Sequence, residues 1–209
     1  MTAKVVALRP ARATAPIAEK RKVSRPKNAE VRAREYLTAD EIEALQAAAA
    51  STGRHGHRDM TLVMFAYRHG LRVSELIALR WDQLDLKAGT VHVNRAKNGR
   101  ASVHPLRGPE LRALRRLQRD YSGPYVFATE RNGPLTASTV RHIVKRAGQL
   151  AGLSFQAHPH MLRHACGFKL ANDGQDTRAI QQYLGHKNIA HTVRYTELAP
   201  DRFKGFWKD

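Results

Sequence analysis

Imidazole and guanidinium groups are concentrated in one short segment, His158-Pro159-His160-Met161-Leu162-Arg163-His164. Proline suits the first position of a helix, so a helix is predicted to begin here, with His160 and Arg163 three residues apart on one face. The exposed amides of a helix N-terminus favour an anion, and a planar guanidinium beside an imidazole suits a phosphate group. An ordinary polar pair on the surface is the plainer interpretation of this spacing.

A metal site is the alternative for the same histidines. His160 and His164 have the i,i+4 spacing of a helical metal-binding pair, and His158 lies beside them. The glutamate of an HExxH motif is missing between them, and no nearby carboxylate completes a ligand set. We therefore favour an anion site over a metal site.

A second arginine stands at the start of another predicted helix. Gly70 suits the left-handed C-cap of the preceding helix, so Arg72 opens the next one and presents its guanidinium where a phosphate is favoured. Glu75 follows one turn later and can pair with Arg72 or orient a neighbouring group, although an exposed i,i+3 ion pair is the plainer interpretation. Lys97 flanks an Asn-Gly turn at the tip of a predicted hairpin, where a lysine can reach a DNA backbone or simply lie in solvent.

Two further candidates come later in the chain. In Leu184-Gly185-His186, a glycine of C-cap type places His186 just past the end of a helix. Tyr195 lies about 200° around its predicted helix from Val193, at about 100° per residue, so we expect its ring to point away from the apolar stripe. Most tyrosines are half-buried packing residues with a wet hydroxyl, and Tyr195 is the tyrosine that packing explains least well.

The elements that must hold these residues are mostly helices. A capping box over Thr38–Glu41 begins the first, and helical patterns follow at about 58–69, just after Arg72, and at about 109–120, 136–150, 159–172, 176–184 and 189–199. Period-two alternation over Thr90–Asn94, a partner strand at Ser102–His104 and the Asn-Gly turn between them predict a small antiparallel sheet. The sequence therefore predicts an α+β fold that is mainly α-helical.

The charge balance points to a polyanionic partner. Lys and Arg total 36 against 18 acidic residues among 209, which gives a formal net charge of +18. Such an excess is typical of nucleic-acid-binding proteins, and a ribosomal-type basic protein has the same signature. No apolar run approaches the ~20 residues that span a bilayer, and a single cysteine, Cys166, excludes a disulfide framework. We therefore expect a cytoplasmic protein without a membrane partner.

Residues 1–34 differ in composition from the rest of the chain. They carry ten basic residues against two acidic ones, with three prolines and no apolar periodicity. Such a segment cannot bury enough surface to offset its conformational entropy, so we expect a flexible basic arm over 1–34 and a folded domain over 35–209. The Arg-rich, acid-poor start also weakly resembles an organelle transit peptide, which we rank below a DNA-binding arm.

Five motifs, taken in chain order, resemble the catalytic domain of tyrosine recombinases, the phage-integrase family: Gly-Leu-Arg72, Lys97 in a hairpin, His160-x-x-Arg163-His164, Leu-Gly-His186 and Tyr195. The resemblance covers about residues 36–200. The stretch from His158 to Tyr195 is especially similar to the small bacterial recombinases that invert fimbrial promoter switches. The resemblance implies the tyrosine recombinase catalytic-domain fold over 35–209. The implied domain is preceded by the basic arm and lacks the separate core-binding domain of larger integrases.

The resemblance implies a site-specific recombinase that cleaves and rejoins double-stranded DNA, by inversion or integration of a segment. In such a site Tyr195 attacks phosphorus and forms a 3′-phosphotyrosyl link. Arg72 and Arg163 clamp the scissile phosphate, and His186 donates a further hydrogen bond. Preorganised cations of this kind stabilise the charge that gathers on the nonbridging oxygens in the transition state.

The remaining roles that the resemblance implies concern protons. His160 accepts the phenolic proton, Lys97 protonates the departing 5′-oxygen, and Glu75 supports rather than reacts. Because the covalent intermediate keeps the energy of the phosphodiester bond, the resemblance implies no ATP, metal or other cofactor.

Recombination joins two duplexes through four strand cuts, so the resemblance also implies a homotetramer on DNA at the nucleoid. An accessory DNA-bending protein is a further candidate partner. We expect Pro200–Asp209, with its aromatic residues, to pack either on a neighbouring protomer or on its own domain. Two other functions stay open: a DNA-binding regulator that uses this fold without cutting, and a single-protomer topoisomerase that nicks and reseals.

Overall fold

The computed structural model of the chain describes residues 35–95 and 101–197. Three of the sequence predictions lie outside these described residues. They are the basic arm over 1–34, the hairpin tip that carries Lys97, and the packing of Pro200–Asp209.

The described part of the chain is mainly helical, with one small sheet. A 3₁₀ turn, Trp81–Gln83, precedes the sheet, whose strands are β1 (Leu84–Asp85), β2 (Thr90–Val93) and β3 (Ser102–Pro105). The α-helices are α1 (Ala39–Ala50), α2 (Gly56–Arg68), α3 (Val73–Ile77), α4 (Gly108–Asp120), α5 (Ala137–Leu150), α6 (Pro159–Asn172), α7 (Thr177–Leu184) and α8 (Ala190–Glu197). The predicted α+β class is therefore confirmed. Among the described residues, none of the helices is both long and apolar enough to cross a bilayer.

Local sequence signals set the helix boundaries that the site depends on. At Thr38 the predicted capping box is present: the hydroxyl accepts from the Glu41 amide at 3.3 Å, and the Glu41 carboxylate accepts from the Thr38 amide at 2.9 Å. Pro159 is the first residue of α6. Gly70 and Gly185 follow α2 and α7 with φ of +56° and +64°, a left-handed conformation that costs a glycine little. These predictions are confirmed.

The sheet is antiparallel, in the order β1-β2-β3. The predicted pairing of β2 with β3 is confirmed, from Thr90 opposite Pro105 to Val93 opposite Ser102. Strand β1 was not predicted, because two residues are too few to show an alternating pattern.

Two hydrophobic clusters form the interior. The larger one joins α1, α2, α4, α5, the first half of α6 and the sheet; its fully buried members include Leu45, Leu62, Phe65, Leu114, Val144 and Leu162. The smaller cluster joins the second half of α6 to α7 and α8 and comprises Cys166, Phe168, Ala171, Ile180, Leu184 and Tyr195. The site therefore lies where the short helices α7 and α8 close on α6.

The expectation that Tyr195 points away from the apolar side of its helix is wrong. Its side chain is only 1% exposed, while Val193, the residue that defined the predicted stripe, is half-buried. The buried face of α8 is formed by Thr192 and Tyr195, three residues apart. An eight-residue helix has too few apolar residues to reveal this orientation.

The Tyr195 ring packs directly against Gly167. A Cβ atom at Gly167 would lie 2.6 Å from Cε2 of Tyr195 and 2.7 Å from Cδ2. Phe168 covers another side of the ring, edge to face, with centroids 5.0 Å apart. The absence of a side chain at Gly167 therefore lets α8 pack directly on the backbone of α6.

We predict that Gly167→Ala destabilises the protein, since the added methyl group must displace either the buried ring or the helix. Overpacking of this kind costs about 1–3 kcal/mol, against a helix-propensity gain of up to ~1 kcal/mol. The control is Gly108→Ala, whose Cβ would meet only the end of the flexible Arg112 side chain, at 3.3 Å. Thermal unfolding should show a lower Tm for Gly167→Ala and an unchanged or slightly higher Tm for Gly108→Ala. Equal Tm values for the two variants would contradict the tight packing of Tyr195.

Candidate active site

One cavity of about 230 Å³ gathers most of the predicted site residues. Five of the seven line it, drawn from the start of α3, from α6, from the residue after the α7 cap and from α8. Its lining is Arg72, His160, Arg163, His164, His186, His191, Arg194 and Tyr195. Glu75 lies directly behind Arg72, and Lys97 lies outside the described residues.

Two of the three arginines that line the cavity, Arg72 and Arg163, donate hydrogen bonds to backbone carbonyls. Arg163 extends from α6, and its side chain is buried; Nη1 donates to the carbonyl of Gly70, and Nη2 donates to that of Leu184 at 2.7 Å. Arg72 is the N-cap residue of α3, and its side chain is 31% exposed. Its Nη2 donates to the Gly185 carbonyl at 3.5 Å, so both guanidiniums meet at the C-terminal end of α7.

Burial lowers the pKa of Arg163 to about 10, and the neighbouring Arg72 and Arg95 guanidiniums add to this effect. A guanidinium with this pKa still carries its full charge at neutral pH. Two cations held side by side repel one another, and an anion placed between them would relieve that repulsion. The cavity is therefore suited to a phosphate group.

Glu75 is more than an exposed ion pair. Its side chain is 2% exposed, and its two carboxylate oxygens face two different arginines. Oε1 accepts from Arg72 Nη1 at 2.8 Å, and Oε2 accepts from Arg95 Nη1 at 2.9 Å. Sequence reasoning missed Arg95, because an arginine at the end of a strand gives no local signal of the long-range contacts it makes.

The phenol of Tyr195 is hydrogen-bonded to a different histidine from the predicted one. Its hydroxyl lies 2.8 Å from Nδ1 of His164. His160, which the sequence analysis assigned to this proton, is exposed at the cavity lining, and its ring meets that of His164 at a centroid distance of 4.3 Å. The reason is geometric: His164 lies one turn further along α6, beside Gly167, where the phenol ring packs. The catalytic role of His160 stays a prediction.

His186 follows the left-handed Gly185 and turns its ring toward α8. Nδ1 lies 2.8 Å from the hydroxyl of the buried Thr192. The imidazole is stacked at 24° to the Tyr195 ring, with centroids 6.2 Å apart. The predicted neighbourhood of His186, Arg163 and Tyr195 is thus present.

His164 and His186 are neutral at pH 7, and the phenol of Tyr195 is protonated. Burial lowers the pKa of His164 to about 3, with His160 and Arg163 adding to the effect. Burial also lowers the pKa of His186 to about 3, with Arg163 and Arg72 contributing. Burial raises the pKa of Tyr195, and the nearby Arg163 and Arg194 cations oppose that rise. In this state the proton therefore stays on the phenol.

Besides His164, two lining residues, His191 and Arg194, were not among the predicted site residues. Arg194 pairs with Glu35, and its Cζ lies 5.8 Å from the centroid of the Tyr195 ring. His191 could have been found from its i,i+4 spacing to Tyr195, and Arg194 from its place next to Tyr195 in a helix. Within residues 35–95 and 101–197, no group of three or more His, Cys, Asp or Glu side chains is placed to hold a metal ion.

The lowered histidine pKa values predict a pH-dependent stability. In the unfolded chain a histidine titrates near 6.5, whereas His164 titrates at about 3 in the folded protein. Between these values the unfolded state binds more protons, so the free energy of unfolding falls as the pH falls from about 6.5 to 3, by up to about 1.4 kcal/mol per pH unit for each such histidine. His164→Gln should therefore have a flatter profile than wild type, and His142→Gln, which replaces an exposed histidine on α5, should keep the wild-type slope. Denaturant unfolding at several pH values measures this, and equal slopes for wild type and His164→Gln would contradict a buried neutral imidazole.

Comparison with known proteins agrees with this geometry. The family model described as "Phage integrase family" matches residues 35–202. The chain is similar to Type 1 fimbriae regulatory protein FimE of Escherichia coli K12, with 44% identity over 182 residues that cover 84% of this chain and 91% of FimE. It is 40% identical to Tyrosine recombinase XerC of Xylella fastidiosa strain M23 over 146 residues, which cover 68% of this chain and 49% of XerC.

A solved structure shares the fold. The lambda integrase(75-356) dimer bound to a COC' core site superposes with a TM-score of 0.62 and 26% identity, over 75% of this chain and 59% of that one. The match confirms the predicted recombinase catalytic-domain fold. The family model spans the whole described part of the chain, and FimE is 44% identical over 84% of this chain's length. This protein therefore belongs to the phage integrase family.

Proposed function

We propose that this protein is a site-specific DNA recombinase that cleaves and rejoins double-stranded DNA through a 3′-phosphotyrosyl intermediate. The observation that carries the proposal is the convergence of Arg72, Arg163, His186 and Tyr195 on one cavity. The net charge of +18 and the DNA-bound state of the similar lambda integrase support DNA as the partner.

The chemistry follows from the charges in the cavity. A phosphodiester is an anion, and its transition state for transfer gathers further charge on the nonbridging oxygens. Arg72 and Arg163 would hold these oxygens, and His186 would donate a hydrogen bond to them. Because the guanidiniums are already fixed by carbonyls of Gly70, Leu184 and Gly185, little reorganisation is needed when charge develops.

Tyr195 must be activated before it can attack. Ionising a free phenol at pH 7 costs about 4 kcal/mol, and burial of this ring raises that cost. The side chain is 1% exposed, so α8 has to shift for the hydroxyl to reach a phosphorus atom bound in the cavity. His164, whose Nδ1 lies 2.8 Å from the phenol oxygen, is the first base within reach, and His160 beside it connects that position to solvent.

The exchange balances without an external energy source. The P–O5′ bond of the DNA breaks as a bond forms between phosphorus and the Tyr195 oxygen; the phenol loses a proton and the 5′-oxygen gains one, in our proposal from Lys97. The number of phosphodiester bonds is unchanged, so a 5′-hydroxyl of another strand can reverse the step without ATP. Because two duplexes require four strand cuts, we propose a homotetramer on DNA. We further propose that it acts in the nucleoid with an accessory DNA-bending protein and that the outcome is inversion or integration of a DNA segment.

We predict that a nicked duplex carrying the recombination junction mapped in the native genome traps a covalent adduct with the wild-type protein. The nick lets the short 5′-hydroxyl strand diffuse away, so the reverse step fails and the 3′-phosphotyrosyl link accumulates. Tyr195→Phe should bind this duplex with unchanged Kd and form no adduct, while Tyr125→Phe, which removes a phenol hydroxyl outside the cavity, should form it at the wild-type rate. Denaturing gel electrophoresis counts the adduct, and peptide mass spectrometry locates it.

Two outcomes would overturn the proposal. An adduct that persists in Tyr195→Phe would contradict the nucleophile. A wild-type protein that binds the junction tightly and forms no adduct on any nicked strand would instead favour a DNA-binding regulator.

A further inference from the structure

Arg95, two residues after the end of β2, is a buried cation next to the cavity. Its side chain is 0% exposed. Nη1 donates to Glu75 Oε2 at 2.9 Å, and Nη2 donates to the carbonyl of Tyr183 at the end of α7. Arg95 is not among the described residues that line the cavity, so any influence on the cavity must pass through its neighbours.

A contribution to folding stability does not by itself explain a buried arginine at this position. Taking a guanidinium out of water is costly, and buried ion pairs are often replaced by apolar residues of similar volume without loss of stability. Burial also lowers the pKa of Arg95, and the Glu75 carboxylate counteracts this shift. A buried ion pair is better attested as a device that fixes geometry.

The neighbours of Arg95 are the supports of the cavity. Glu75 Oε2 accepts from Arg95, and Oε1 accepts from Arg72. One carboxylate therefore fixes the positions of the two guanidiniums relative to each other. Gly185 packs against the Arg95 side chain so closely that a Cβ atom at Gly185 would lie 2.8 Å from Cγ and Cδ. Arg95 therefore touches both the group that orients Arg72 and the turn that carries His186.

A second polar chain reaches the same Nη2 nitrogen of Arg95. Nη2 lies 3.4 Å from Nε2 of the fully buried His104. Since arginine only donates, this contact requires a lone pair on Nε2, so Nδ1 of His104 carries the hydrogen and donates to His69 Nδ1 at 3.2 Å. His69 Nε2 then donates to the buried Glu110 carboxylate at 2.8 Å. The chain from Glu110 to Arg95 thus has one consistent direction of hydrogen bonds.

We propose that Arg95 is a positioning residue for strand cleavage, which fixes Glu75 and the end of α7 and thereby holds Arg72 and His186 where the scissile phosphate binds. The inference rests on the proposed function, because it concerns the same cavity. Arg95 itself does not touch the DNA in this proposal.

The test uses two substrates that differ by one charge. One is the nicked duplex with an ordinary scissile phosphate, and the other carries a methylphosphonate there, which lacks one negative oxygen. A guanidinium that neutralises charge at this oxygen contributes less to the cleavage rate of the neutral substrate. Arg95→Met should therefore slow single-turnover cleavage about 10- to 100-fold on the phosphate, the range expected when a catalytic group is misplaced by about 1 Å, and much less on the methylphosphonate.

Two further variants calibrate the comparison. Arg72→Ala shows how much of the lost cleavage rate returns on the methylphosphonate substrate when the Arg72 guanidinium is absent. Arg58→Met is the matched control, because Arg58 is also a buried arginine, 7% exposed and bonded to Asp59 and to the Ala128 carbonyl, but lies outside the cavity lining. Any loss of rate in Arg58→Met should be equal on the two substrates.

The ratio of the two rates, measured on one protein preparation, does not depend on the folded fraction. If Arg95→Met does not fold, Arg95→Lys decides by the same ratio, since an ammonium can reach Glu75 but cannot hold the Tyr183 carbonyl at the same time. Equal slowing on both substrates, or no slowing on either, would overturn the role of Arg95 while leaving the proposed function standing. A wild-type protein that cleaves neither substrate would overturn the proposed function itself.

Discussion

The C-terminal end of α7 is the point on which the site depends. Three successive carbonyls, those of Tyr183, Leu184 and Gly185, each accept a hydrogen bond from a different arginine, namely Arg95, Arg163 and Arg72. Helix C-termini leave carbonyls without intrahelical partners and carry partial negative charge, so they attract cations. Here that general property gathers guanidiniums from three distant parts of the chain, immediately before His186. The left-handed turn at Gly185 makes room for this arrangement.

In the proposed function, the same packing would keep the phenol inactive until a substrate is bound. Tyr195 is sealed against Gly167 and Phe168, its hydroxyl is tied to the neutral His164, and burial raises its pKa. A nucleophile held in this way would not react with water or with an incidental phosphate. On the same proposal the cations are in place beforehand while the phenol has to be released, so movement of α8 would be the step at which cleavage is controlled.

Much of this arrangement was visible in the sequence, wherever a short-range rule decides the conformation. Gly70, Gly185 and Pro159 mark helix ends by their own backbone preferences, and the order of motifs was enough to identify the family. What could not be predicted depends on contacts between distant residues: Arg95 with Tyr183, His164 rather than His160 on the phenol, and the burial of Tyr195 on Gly167. Strand β1 and the orientation of α8 were missed because two and eight residues carry too little periodicity.

The most direct measurement is a crystal structure of the protein bound to a nicked duplex of its own junction. The account predicts that the guanidiniums of Arg72 and Arg163 each lie about 2.7–2.9 Å from a nonbridging oxygen of the scissile phosphate. It also predicts that α8 has moved so that the Tyr195 oxygen stands about 3–3.5 Å from phosphorus, in line with the 5′-oxygen. A scissile phosphate bound elsewhere, with Tyr195 still packed on Gly167 and bonded to His164, would contradict it.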